Sequence, residues 1–173
     1  SDTPAATRKD GIAVWVEDVS FTYPDGSEEV LTDISLQIEP GQFAAFVGPS
    51  GAGKTTLADL VLGIHHPTEG LITTGGVSPR ELRSARPGAV SYVPQNPGMV
   101  SGTLAQNVAL GIADEEIDQS RVLEVLGQAG LSNLVSALPD GIHTSVGEQS
   151  DALSGGQIQR LGIARALYTG PRL

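Results

Sequence analysis

The chain has 173 residues, 39% apolar and 17% charged, enough for one domain with a sizeable core and too apolar for a wholly disordered chain. Ten Lys and Arg against twenty Asp and Glu leave a net charge of −10, which repels a nucleic-acid backbone and an anionic membrane surface alike. With no Cys there is no disulfide, thiolate-metal or cysteine-nucleophile chemistry, and no apolar run approaches the roughly 18 residues a spanning helix needs. Twenty-two glycines and only 4% aromatic residues point to an α/β domain with many tight turns.

Ser1 to Asp10 is polar, carries no apolar signal core and reads as a linker arm from something upstream. From Ile12 to Tyr23 the valines at 14, 16 and 19 recur as in a strand, Pro24 to Ser27 supply a turn, and Val30 to Ile38 alternates again, which predicts an antiparallel hairpin. Gln42 to Val47 reads as a short buried strand (Phe43, Ala44, Ala45, Phe46, Val47) running into a glycine-rich loop. Lys54 to Ile64 follows as a helix with Leu57, Leu60, Val61 and Ile64 on one side, ended by His65-His66-Pro67. Leu71 to Thr73 and Ala89 to Val93 are predicted short strands, with a short helix over Ser78 to Ala85 between them. Helices are predicted over Thr103–Leu110, Asp114–Gln128 (Ile117, Val122, Val125 and Leu126 on one side), Leu131–Leu138 and Ser154–Thr169. The loop Pro139–Ala152 precedes the last helix, and Gly170 to Leu173 reads as the beginning of another strand.

Gly48-Pro49-Ser50-Gly51-Ala52-Gly53-Lys54-Thr55 satisfies G-x-x-x-x-G-K-[ST] between a predicted strand and a predicted helix. Glycines let backbone N–H groups converge on phosphates, the helix N-terminus adds partial positive charge, Lys54 reaches the outer phosphate oxygens, and the Thr55 hydroxyl suits Mg²⁺. Leu153-Ser154-Gly155-Gly156-Gln157 opens the last helix with Ser154 as its N-cap, either a second anion-binding helix end or an ordinary capped helix. Two phosphate-gripping helix ends in one chain favour a second nucleotide, held by a partner.

Together with Gln95 in Val93-Pro94-Gln95, these motifs resemble, in order, the Walker A, Q-loop and signature motifs of the nucleotide-binding domain of ATP-binding cassette (ABC) proteins, over about Ile12 to Leu173. The resemblance implies an α/β fold. It comprises a P-loop NTPase core (41–96), an N-terminal antiparallel β subdomain (11–40), an inserted helical subdomain (97–153) and the signature helix (154–173). It implies ATP and Mg²⁺ as cofactors, with ATP on Gly48 to Thr56. Gln95 is implied near Mg²⁺ or the attacking water and as a sensor of the membrane partner, and Ser154, Gly155, Gly156 and Gln157 on the nucleotide of a second nucleotide-binding domain. Tyr23 matches the family's adenine-stacking aromatic, the alternative being a hairpin core ring, and Gln95 taken alone is a polar turn residue.

Ser101-Gly102-Thr103-Leu104-Ala105-Gln106-Asn107-Val108 and Thr144-Ser145-Val146-Gly147-Glu148 resemble stretches of exporter cassettes, the latter their X-loop, in which Glu148 contacts the membrane domain; alone it reads as a solvated loop carboxylate. Met99-Val100 and Gln149-Ser150-Asp151 depart from the usual residues at their positions. The likeness implies a membrane domain preceding the cassette in one polypeptide, at the cytoplasmic face of a membrane. The family's Walker B Asp and catalytic Glu, with part of the central sheet, fall beyond Leu173. The 173 residues alone are therefore expected not to turn over ATP. The other readings are a soluble ABC-type ATPase of DNA repair, chromosome organisation or translation, and a non-catalytic nucleotide-binding module. Against the soluble ATPase stand the acidic charge and the separation of about 100 residues between Lys54 and Ser154, too short for a long coiled coil. His65, His66 and His143 lack metal-ligand spacing, Asp114 to Glu116 complement a helix dipole, Arg80, Arg83 and Arg86 form a solvated face, and Arg160 and Arg165 read as structural or interface residues.

Overall fold

In the computed structural model, which describes residues 11–147 and 153–173, the hairpin forms as β1 (Val14–Thr22) and β2 (Glu29–Ile38), paired antiparallel from Val14 opposite Ile38 to Thr22 opposite Glu29. Alternation along β1 changes phase: Val14 and Val16 face the core, then Val19 and Phe21. The shift is a bulge at Asp18, held at φ 48° and closed by Ser35, whose Oγ accepts from the Asp18 N–H at 2.9 Å and donates to its carboxylate at 2.9 Å. An aspartate tolerates this left-handed conformation better than a valine would.

The helix α1 (Lys54–Val61) lays Leu57, Leu60 and Val61 on the valines of β1, and β3 (Glu69–Thr74) adds Ile72 from the other edge, giving the strand order β2-β1-β3. α1 ends earlier than its apolar spacing predicts. Gly63 at φ 70° donates to the Leu60 carbonyl at 3.0 Å, and Ile64 donates to that of Asp59 at 2.9 Å. This Schellman closure turns the chain away, so Ile64 is half exposed and His65-His66-Pro67 lie beyond the stop. Helix α2 (Pro79–Ala85) begins at a capping box between Ser78 and Glu81, and Arg80, Arg83 and Arg86 are exposed on it and at its end.

Three predicted strands are absent from the described residues. Residues 42–47 enter no ladder among the described residues, and Phe43 and Val47 are 92% and 90% exposed. An apolar run is a buried strand only where neighbouring strands take up its amides and carbonyls. Residues 89–93 and 170–173 are likewise not strands. The N–H groups of Arg172 and Leu173 both donate to the single carbonyl of Ala89, at 2.8 and 3.2 Å, a convergence that differs from a ladder.

The chain divides into two units, one running to Val90 and including Arg172 and Leu173, the other Ser91–Pro171. In the second, β4 (Gly102–Thr103) leads into α3 (Leu104–Val108), followed by α4 (Gln119–Gln128), α5 (Ser132–Ala137), β5 (Ser145–Val146) and α6 (Gly155–Tyr168). Its core joins Leu104 and Val108 of α3, Val122, Val125 and Leu126 of α4, Leu131, and Leu161 and Ala164 of α6. The long helix predicted from Asp114 is interrupted. Asp114–Glu116 is a 3-10 turn, Ile117 is extended, and α4 starts afresh where the Asp118 carboxylate accepts from the Arg121 N–H at 3.0 Å.

Candidate nucleotide-binding site

β2 delivers Val30 to the floor of the loop between Gly48 and Lys54, and α1 starts at its far end. Gly53 adopts φ 76°, and a Cβ there would stand 2.6 Å from Leu31 Cδ2 and 3.1 Å from the Val30 carbonyl oxygen, so only glycine lets the loop lie this close to β2. No side chain caps the first turn of α1 and no acidic residue stands in it. The helix therefore presents its first amides and their partial positive charge with no group of its own on them. The Lys54 ammonium bends back over the loop and donates to the carbonyls of Gly48 at 3.0 Å and Pro49 at 2.6 Å, so the loop holds it with no carboxylate partner among the described residues. Ser50, Gly51, Gly53, Lys54, Thr55 and Thr56 with Val30 line an open concavity of about 310 Å³, and Ser50, Ala52 and Thr55 are exposed.

Thr56 is buried, and its hydroxyl lies 3.0 Å from the Tyr23 hydroxyl. The Tyr23 ring, 37% exposed, packs edge-to-face on Phe21 (centroids 4.9 Å apart, 82°) and on His65 (5.5 Å, 87°). Tyr23 is thus tied to the first turn of the helix that the loop begins. The sequence motifs point to Tyr23 and Thr56 for the site, whereas His65 reads only as part of the His65-His66-Pro67 helix end and as lacking metal-ligand spacing. The signal missed there is the glycine at 63, which ends α1 early and frees the following residues to turn back toward β1.

The remaining predicted residues belong to the second unit. Gln95 is exposed beside the buried Pro97. Ser154 is extended and exposed at the head of α6, its N–H donating to Gln157 Oε1 at 2.7 Å. A Cβ at Gly155 or Gly156 would meet nothing within 4 Å, while Leu153 anchors the motif in the core. This helix end is open on its glycine side. The two exporter-like stretches meet. Gly102 pairs with Val146, Thr103 with Ser145, and the Leu104 N–H donates to the Thr144 carbonyl at 3.0 Å. Glu148 lies outside the described residues, as does the arm Ser1–Asp10. Arg165 bonds the carbonyls of Asn107 (Nε, 2.8 Å) and Gly98 (Nη1, 3.0 Å), and burial pulls its pKa below the usual guanidinium value. It is a brace for the turn before α3.

The profile of the ABC transporter family matches residues 31–173. The chain belongs to the ABC transporter family. It is 42% identical over 158 residues to an ATP-dependent lipid A-core flippase of Cupriavidus pinatubonensis (88% of this chain, 26% of that protein). It is 45% identical over 152 residues to the mycobactin import ATP-binding/permease protein IrtB of Mycolicibacterium thermoresistibile (87% and 26%). The solved structure of a bacterial Atm1-family ABC exporter with ATP bound superposes with a TM-score of 0.79 at 32% identity, covering 99% of this chain and 30% of that one. The chain thus spans about a quarter of the length of these two curated relatives. Its fold is that of an ABC exporter's nucleotide-binding domain, a P-loop NTPase core with an antiparallel N-terminal sheet.

Proposed function

We propose that this chain binds ATP, and in the full-length protein takes part in hydrolysing it, to drive export of a substrate across a membrane. The observation that carries the reading is the uncapped first turn of α1 beneath a loop that holds Lys54 on its own carbonyls, with Tyr23 tied to Thr56 of the same turn. The donor set fits a nucleoside triphosphate. Free amides and one ammonium suit the phosphates, and a partly exposed phenol ring suits a purine face. The hydroxyl of the exposed Thr55 is the oxygen donor assigned to Mg²⁺, which when bound would neutralise charge on the outer phosphates; Gln95 is added as a further donor by the family likeness alone. Gly48, Pro49, Ser50, Gly51, Ala52 and Gly53 supply the loop amides, apart from the proline, and fix where the phosphates sit.

Ser154, Gly155, Gly156 and Gln157 are assigned to the nucleotide of a second nucleotide-binding domain, because the head of α6, although closed on itself by the Ser154–Gln157 capping box, leaves open space at Gly155 and Gly156. A membrane domain in the same polypeptide is the partner assigned to Gln95 and Glu148, with the cassette at the cytoplasmic face. IrtB, named as an ATP-binding/permease protein, supports that arrangement. It also names import, so outward transport rests on the exporter-like pairing of 102–103 with 145–146 and on the likeness to the Atm1-family exporter. The similarity to named transporters and the net charge of −10 weigh against a nucleic-acid ATPase. The test is magnesium-dependent ATPase activity of the full-length protein reconstituted in lipid. The proposal expects turnover that Gly155→Asp abolishes, because a carboxylate would then face the partner's phosphates. Turnover indifferent to Gly155→Asp would refute the role given to α6.

A further inference from the structure

We infer that His65 is a positioning residue for the base-binding subsite, holding the Tyr23 ring where a purine can stack on it; the inference rests on the ATP-binding reading above. β1 ends at Thr22, so Tyr23 stands just past the ladder and the sheet does not fix its side chain. Three groups do. The Phe21 ring meets it edge-to-face at 4.9 Å, the Thr56 hydroxyl lies 3.0 Å from its own, and the His65 ring meets it at 5.5 Å and 87°. Phe21 and Thr56 are themselves buried, at 4% and 5% exposure, whereas His65 is half-buried. His65 also lies 5.6 Å from Phe21 at 34°, so the three rings form one cluster rather than two separate pairs.

Two of the three restraints come from opposite ends of α1. Thr56 stands in its first turn, next to the phosphate loop, and His65 follows the Gly63 turn that closes it. One rigid helix therefore fixes both the phosphate amides and the ring that takes the base. The sequence pattern gives His65 no such role, since its partners lie 42 and 44 positions upstream. Removing the imidazole leaves Tyr23 with rotamer freedom that nucleotide binding must then suppress. The phosphate contacts, made by the loop and the first amides of α1, stay as they are.

The experiment measures equilibrium binding of MgATP and of inorganic tripolyphosphate to the full-length protein, in the wild type, His65→Ala, His65→Phe, Tyr23→Ala and the His65→Ala/Tyr23→Ala double variant. His65→Ala should weaken MgATP about threefold to tenfold and leave tripolyphosphate unchanged. His65→Phe, which keeps a ring, should restore the loss, and His65→Ala should cost nothing further once Tyr23 is gone. Should the alanine variant fail to fold, His65→Gln carries the same expectation. Equal losses for MgATP and tripolyphosphate, additive losses in the double variant, or unchanged MgATP affinity would overturn the inference. A wild type that binds neither ligand would overturn the nucleotide-binding reading with it, whereas MgATP binding insensitive to His65 overturns only the role of His65.

Discussion

Asn107 closes the turn that the exporter-like stretch builds, and removing it should be among the most damaging single changes in the second unit. Its side chain is fully buried. Nδ2 donates to the Val100 carbonyl at 2.9 Å and to the Thr103 carbonyl at 3.1 Å, while Oδ1 accepts from the Val100 N–H at 3.0 Å. Asn107→Ala removes all of these and strands both backbone groups of Val100. At about 1 kcal/mol net per bond, with water able to reach the groups of Val100, which is 41% exposed, the loss is about 2–3 kcal/mol. Asn107→Asp keeps the shape but turns an acceptor oxygen toward two carbonyls. Burial and those carbonyls raise the new carboxyl's pKa in the folded state above its unfolded value. Its protonated form is therefore the one the fold tolerates, and the variant should lose stability as pH rises through the folded pKa, so its deficit is larger at pH 8 than at pH 5. Urea unfolding at the two pH values gives the free energies, and hydrogen exchange of the Val100 amide reports the broken bond directly. A deficit under about 0.5 kcal/mol for Asn107→Ala, with Val100 as protected as before, would refute the reasoning.

Gly53→Ala should cost about 2–4 kcal/mol, from a left-handed backbone and a Cβ driven against Leu31 and Val30, and should weaken MgATP binding more than the melting temperature alone accounts for; the same two measurements on Gly51→Ala, where a Cβ meets nothing, serve as the control. The Glu81 carboxyl sits below the usual carboxylate range because Ser78 donates to it from both its hydroxyl and its N–H. A lowered folded pKa stabilises above the unfolded value and is lost as pH falls through the folded one. Ser78→Ala should bring the Glu81 midpoint up toward the usual carboxylate range in an NMR titration and reduce that acid-side loss.

What was legible in the sequence was what short-range pattern decides. Alternating valines gave β1, turn residues gave the hairpin, and Gly48 to Thr55 marked a glycine-rich loop together with the helix behind it. The errors came where long-range partners decide. Phe43 to Val47 has the composition of a buried strand, but a strand exists only beside another, and none of the described strands runs there. Leu57, Leu60, Val61 and Ile64 share a helical face, yet Gly63 stops the helix before Ile64 is reached, so one residue outweighs a spacing. Asp118, a helix cap four residues before Val122, was a readable sign that α4 begins anew, and the periodicity of Ile117, Val122 and Val125 hid it. The residues proposed for the site were each visible in the sequence as part of a motif. What holds Tyr23 in place was not, because Thr56 and His65 reach it only once α1 has packed on β1.

The most direct test of the account is an equilibrium titration of the full-length protein with MgATP, comparing the wild type with Lys54→Ala. Lys54 is the one cationic side chain of the loop and is proposed to contact the phosphates, and removing a charge-assisted contact of about 1.5–3 kcal/mol predicts an affinity at least tenfold weaker. Equal affinities for the two proteins would mean that ATP, if it binds at all, does not bind at Gly48 to Thr55.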